Sequence, residues 1–109
     1  MGPDAEKGGS ERRRRPREPL CAEAVETIAE RLRLIADPRR IALLEALNDG
    51  EASVQELAER IGASHQNASY HLAHLRRAGV VESRREGPAN LYAISDWSAW
   101  WVVEQLARL

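Results

Sequence analysis

Apolar residues recur along this chain at two different periods, and the change of period divides it. From Leu20 to Ala36, Val25, Ile28, Ala29, Leu32 and Ile35 fall on one helical stripe, with Leu34 and Cys21 off it or at its margin. Asp37-Pro38 marks a new helix start, because an aspartate cap accepts from orphan N–H groups and a proline in the first turn has no N–H to lose. Ile41, Leu44 and Leu47, flanked by Ala42 and Leu43, carry this helix to a stop at Asn48-Asp49-Gly50. Ser53-Val54-Gln55-Glu56 is a capping box; Val54, Leu57, Ala58 and Ile61 form the apolar face behind it, and Gly62 ends it.

After a tight Gly62-Ala63-Ser64 turn, Ser64 to Gly79 (SHQNASYHLAHLRRAG) reads as a short amphipathic helix. Ser64 caps it and Gly79 stops it. Ala68, Leu72 and Leu75 form the buried stripe, continued by Ala78, while His65, Gln66, Ser69 and Tyr70 lie mostly on the other side near the amino end. Apolar anchors behind and hydrogen-bonding side chains in front, at the amino end of the second helix of a pair, are the layout of a DNA-reading helix in a helix-turn-helix. Two ordinary packed helices would share the periodicity, and the residues that follow separate the two readings.

Beyond Gly79 the period shortens. Residues 80–84 and 90–94 are β-prone and roughly alternating, with Arg85-Glu86-Gly87-Pro88-Ala89 as the turn between them. A hairpin directly after a reading helix is a wing, and Arg84 and Arg85 stand where its tip approaches phosphates; the plainer reading is a structural hairpin with arginines guarding its edge. Ser95-Asp96 caps a last helix, Trp97 to Leu109. Its apolar residues, Trp97, Trp100, Trp101, Val102, Val103, Leu106 and Leu109, exceed what one face can bury within so small a domain. The pattern predicts a mainly α winged helix-turn-helix, with about five helices and a two-stranded wing, over residues 20–109. It also predicts that Trp97, Trp100, Trp101 and Leu106 of the last helix meet a second copy of the chain. A pocket for an apolar ligand lined by the tryptophans is the competing reading of that helix.

Charge narrows the picture. The net charge is −1, so affinity for nucleic acid has to come from a local patch rather than a global field. Arg60, Arg76, Arg77, Arg84 and Arg85 supply one, against Glu82 and Glu86. Residues 1–19, with the run Arg12 to Arg15 and three prolines, read as a disordered basic tail; it either follows a phosphate backbone or is simply solvated. Cys21 is the only cysteine, which excludes an internal disulfide; it reads as a small apolar residue at a helix start, with thiol sensing as the alternative. No long apolar run or charged-then-apolar leader is present, so a cytoplasmic protein without membrane contact is expected. No phosphate loop, nucleophile elbow or HExxH pattern occurs, and no enzyme is expected.

This order of elements resembles the ArsR/SmtB family of bacterial winged-helix repressors. The resemblance rests on Ala36-Asp37-Pro38-Arg39-Arg40-Ile41 with Leu44 and Leu47, Ser53 to Ala58, Ser64 to Leu72 with Leu75, Ala78-Gly79-Val80-Val81, and Arg85-Glu86-Gly87 before Leu91-Tyr92. It implies a homodimer formed through the first helix, with Val25, Ile28 and Leu32, and the last, which binds a double-stranded operator and represses transcription until a signal releases it. Its implied base-reading side chains are His65, Gln66, Ser69 and Tyr70, its wing contact Arg85 with Gly87. Ser64, Asn67, Arg76 and Arg84 complete the candidate DNA-binding set. The chain departs from the family's metal sensors. Where they carry paired cysteines it has Ser53 and Gln55, and its last helix has Asp96 but no histidine. Neither metal site can be built. His71 and His74 share a face without a third ligand, so no metal and no cofactor are expected, and any effector is a small molecule of unknown class or none. A different class of function, an interaction module using the tryptophan helix with weak or lost DNA binding, is favoured by the near-neutral charge.

Overall fold

The computed structural model describes residues 18–109, and the proposed basic tail lies almost wholly outside them. The elements run α1 (Ala22–Ile35), α2 (Pro38–Leu47), β1 (Ala52–Ser53), α3 (Val54–Ile61), α4 (His65–Arg77), β2 (Val81–Glu86), β3 (Ala89–Ile94) and α5 (Trp97–Ala107).

The caps fall where the residue chemistry put them. Asp37 Oδ1 accepts from the backbone N–H of Arg39 (2.9 Å) and of Arg40 (3.3 Å), with Pro38 opening α2. Partial desolvation pulls the Asp37 carboxyl upward, yet these N–H groups, and beyond them the Arg40 guanidinium, hold it below its ordinary value. The capping box of α3 is reciprocal: Glu56 N–H donates to Ser53 Oγ (3.1 Å) and Ser53 N–H to Glu56 Oε1 (2.9 Å). Gly62 then takes φ +68°, the left-handed cap that lets the chain reverse into α4 within two residues. Ser64 Oγ accepts from Asn67 N–H (3.0 Å), and Asp96 caps α5 through Ser98 N–H (3.1 Å). Cys21 is more polar in use than expected: it is exposed, and its sulfur caps α1 by accepting from Ala24 N–H.

The two-stranded wing forms from β2 and β3 as the sequence pattern predicted, and a short strand that the pattern did not signal, β1, joins it in a three-stranded antiparallel sheet of order β1-β3-β2. Ala52 pairs with Tyr92 and Ser53 with Leu91. A strand of two residues leaves no alternation to read, and only its partner reveals it. The hairpin itself is tighter than expected. Pairing runs from Val81↔Ile94 to Glu86↔Ala89, leaving Gly87-Pro88 as the turn, with Gly87 at φ +59°.

Leu43, Leu44, Leu47, Leu57, Leu72, Leu75 and Val81 fill the centre, fully buried. Here α2 packs against α3, α4, β3 and α5. Its buried face is centred on Leu43 and Leu44 rather than on Ile41, which stays 39% exposed. Ala78, expected to continue the α4 stripe, is exposed beyond the last turn. In α1 only Ile35 is fully drawn in, with Leu34 packed beside the core, whereas Val25, Ile28 and Leu32 are exposed. In α5, Trp97, Trp101 and Leu106 are exposed, and Trp100 is half-buried, packed with Val103 against the core.

Leu72→Ala should lower unfolding free energy by about 2–5 kcal/mol, a lost transfer term plus a cavity, read by urea titration at fixed protein concentration. Asp37→Ala should cost about 1 kcal/mol. With its pKa depressed in the fold, the Asp37 contribution is present above the carboxyl's unfolded value and fades as pH falls through the lowered one, so the gap between the two proteins should close in acid.

Candidate nucleic-acid interface

The helix-turn-helix is held from behind by arginines. Arg60 on α3 donates to the Ala46 carbonyl at the end of α2 (2.9 Å) and lies 3.7 Å from Asp49. It belongs to the α2–α3 joint and does not join the basic patch in which the sequence placed it. At the other end of α4, Arg76 donates to Ser83 Oγ on β2 (3.1 Å) and so ties the helix to the wing.

With its back face packed, α4 offers the other face outward. Ser64, His65, Gln66 and Tyr70 are exposed; Asn67 and Ser69 are half-buried. Asn67 is already engaged, because its Oδ1 accepts from Arg39 of α2. His71 is buried and His74 half-buried, so neither stands with His65 on the open face. The His74 imidazole is held below its ordinary pKa by partial desolvation, then by the nearby charges of Arg40 and Arg77.

The wing separates the two arginines that the sequence grouped. Neighbouring strand residues point to opposite faces. Ser83, which meets Arg76 of α4, therefore shares its face with Arg85, while Arg84 lies opposite with Glu82 and Glu86. There Arg84 makes two bonds to Glu51, 2.7 and 2.9 Å, and one to Glu86, 3.1 Å. The hydrogen bond from Arg84 keeps the Glu51 carboxyl below its usual value in spite of some desolvation, and Glu51 raises the Arg84 guanidinium in turn. Arg85, whose Nε donates to the Gly87 carbonyl (3.2 Å), is exposed on the face shared with α4. Ser64, His65, Gln66 and Tyr70 are thus exposed on α4, Arg76 joins that helix to β2, Arg85 and Gly87 are exposed on the wing, and Arg84 is held in an ion pair. Sequence reasoning did not single out Arg39 and Arg40, although two arginines directly after a helix cap are close enough to reach the next helix that packs on it.

A cleft of about 390 Å³ opens between α1, the α4–β2 junction and α5, lined by Ile28, Leu32, Ile35, Val80, Ala99 and Val102 among others. None of the three tryptophans lines it, so the expected aromatic pocket is not formed there. Among the described residues no three His, Cys, Asp or Glu side chains gather as a metal site would require, and no helix is long and apolar enough to cross a membrane.

Comparison with known proteins agrees with this geometry. Residues 35–84 match a family described as a helix-turn-helix domain. The chain is 39% identical over 79 residues to the HTH-type transcriptional regulator KmtR of Mycobacterium tuberculosis, and spans 61% of that relative's length. It is 36% identical over 88 residues to NmtR of the same organism, 81% of this chain and 73% of that one. Among solved structures it resembles Mb0332 of Mycobacterium bovis, described as a homodimeric winged helix-turn-helix DNA-binding domain and a possible ArsR-family regulator. That likeness has TM-score 0.70 and 28% identity, covering 86% of this chain and 90% of the other.

The Glu51–Arg84 pair joins the loop before β1 to the wing, so Glu51→Gln should speed amide exchange of β2 and β3 while leaving α4 protected. With its pKa lowered, Glu51 supports the wing above the ordinary carboxyl range and ceases to as pH falls through that lowered value. Unchanged exchange in the variant would show the pair to be ornamental, as many exposed pairs are.

Proposed function

Since this chain belongs to the ArsR family of winged helix-turn-helix transcriptional regulators, we propose that it is a twofold-symmetric repressor that binds a palindromic DNA operator. The observation that carries this reading is the two-sidedness of α4. Ala68, Leu72 and Leu75 are completely buried, and the opposite side keeps a row of uncommitted donors and acceptors. In the proposed complex that row enters the major groove, where Gln66 pairs with an adenine edge and His65, Ser69 and Tyr70 contact edges or phosphates. Arg76 and Arg85 stand on the backbone at the carboxyl end of the helix and on the wing. Ser64 and Asn67 serve the first turn by capping and bracing it.

Dimerisation follows from what α1 and α5 leave uncovered. Val25, Ile28 and Leu32 on one helix and Trp97, Trp101 and Leu106 on the other are all more than 40% exposed. A monomer has no partner for so much apolar surface, and a second copy would cover it while setting two reading helices about one DNA turn apart. Occupying the operator is then sufficient to block transcription. The reading in which the tryptophan helix instead serves an unrelated protein is not favoured, because α4 and the wing keep an intact DNA-facing surface.

The test is binding of the purified protein to DNA from upstream of its own gene and to a scrambled duplex, over a range of salt. Wild-type protein should prefer the upstream site and weaken steeply as salt rises. Gln66→Ala should lose about 1–3 kcal/mol of that preference. Arg85→Ala should weaken binding to both duplexes alike and reduce the salt slope by about one. Equal loss of discrimination in the two variants would refute the division of roles.

A further inference from the structure

Arg40 stands where three helices meet. Its Nη1 donates to the Leu34 carbonyl in the last turn of α1 (2.9 Å), and its Nε donates to Nδ1 of His71 on α4 (3.1 Å). A guanidinium has donors and no acceptor. The second bond therefore requires an unprotonated Nδ1, which makes His71 a neutral ring with its hydrogen on Nε2. His71 is 8% exposed and is the buried polar side chain among the described residues. Tyr70 meets that ring edge-on with centroids 5.2 Å apart, and meets His74 at 4.6 Å. Tyr70 is also 57% exposed on the open side of α4. A continuous contact thus runs from the α1 backbone through Arg40 and His71 to a side chain on the reading face.

We infer that Arg40 and His71 are positioning residues for DNA reading, forming a clasp that sets α4 and Tyr70 relative to α1 and opens when His71 takes up a proton. The inference rests on the reading of α4 as the DNA-binding surface. An imidazolium presents donors on both nitrogens, so protonation turns the Arg40–His71 bond into a contact between two cations in a partly buried place. Among the described residues, Arg40 of α2 and the Asp37 cap before it interact with the ring, as do Tyr70 and His74 of α4, with Arg77 3.4 Å from His74, and α1 reaches the clasp through the Leu34 carbonyl that Arg40 holds. Asp37 attracts an imidazolium and Arg40 repels it, and Arg40 is the one in direct contact. Opening the clasp frees the α1 carbonyl and the reading helix together, and operator affinity falls.

His71→Asn separates this role from simple packing, since an asparagine oxygen can take the place of Nδ1 as acceptor and does not titrate. Operator affinity would be measured from about pH 7.5 to about pH 5.5 at constant salt. Wild-type protein should lose about tenfold more affinity than His71→Asn over that interval, since the asparagine takes up no proton. Parallel profiles, with site preference intact at the upper pH, overturn the clasp and leave the DNA reading standing. If wild-type protein shows no site preference, the DNA reading falls, and the DNA-free protein decides the clasp by imidazole nitrogen shifts. An unprotonated Nδ1 near neutrality, with α4 amide resonances of residues 67–74 moving on acidification in wild type but not in His71→Asn, supports it; a protonated Nδ1 or unmoved resonances overturn it. Arg40→Lys guards against a misfolded asparagine variant. It keeps the charge but cannot span both acceptors, so it should show the acid pattern of α4 resonances already at neutral pH, and a wild-type pattern there would sink the proposal.

Discussion

A thirteen-residue helix that must be apolar behind and open in front constrains everything around it. Ala68, Leu72 and Leu75 have to be fully buried for α4 to keep one orientation, and they are covered by the leucines of α2 and α3. Those two helices are in turn fixed by their caps, Asp37 and the Ser53–Glu56 box, which set where each begins and hence which face it turns inward. The left-handed Gly62 closes the arrangement, since a longer link would let α4 roll against α3. Shape, more than any single polar contact, is what makes the front face available.

Electrostatics divides the arginines into those that hold the protein and those left over. Arg40, Arg60 and Arg84 are spent on carbonyls, a histidine and carboxylates, and Arg76 reaches across to Ser83. In a chain of net charge −1 that leaves Arg85 exposed on the α4 side of the wing. Internal arginine bonds also direct rigidity: each guanidinium that joins two elements removes a hinge between them.

The helical part of the fold was legible because its signals are local. Caps, a capping box and an i, i+3, i+4 apolar rhythm lie within a few residues of the structure they cause, and α2, α3 and α4 begin where Asp37, Ser53 and Ser64 said they would. What escaped depends on distant partners. Ala52–Ser53 is a strand only because Tyr92 and Leu91 lie beside it, and Arg60 leaves the basic patch only because Ala46 O is within reach. Ile41 stays out of the core for a similar reason, as periodicity assigns a stripe but not which neighbour fills it. Arg84 and Arg85 are the instructive case. Their opposite faces were deducible from strand alternation alone, yet a count of positive charges had merged them.

That alternation limits how the wing can change over time. Arg85 faces the α4 side because it lies two positions beyond Ser83, which is moored to Arg76, whereas Arg84 lies one position beyond and turns away. Gain or loss of one residue in β2 beyond Ser83 would turn Arg85 toward Glu51 and bring its neighbour round in its place. Insertions at the Gly87-Pro88 tip leave that parity untouched. Relatives of this chain are therefore free to vary the reach of the wing at its tip, while its strands tolerate length changes only in steps of two.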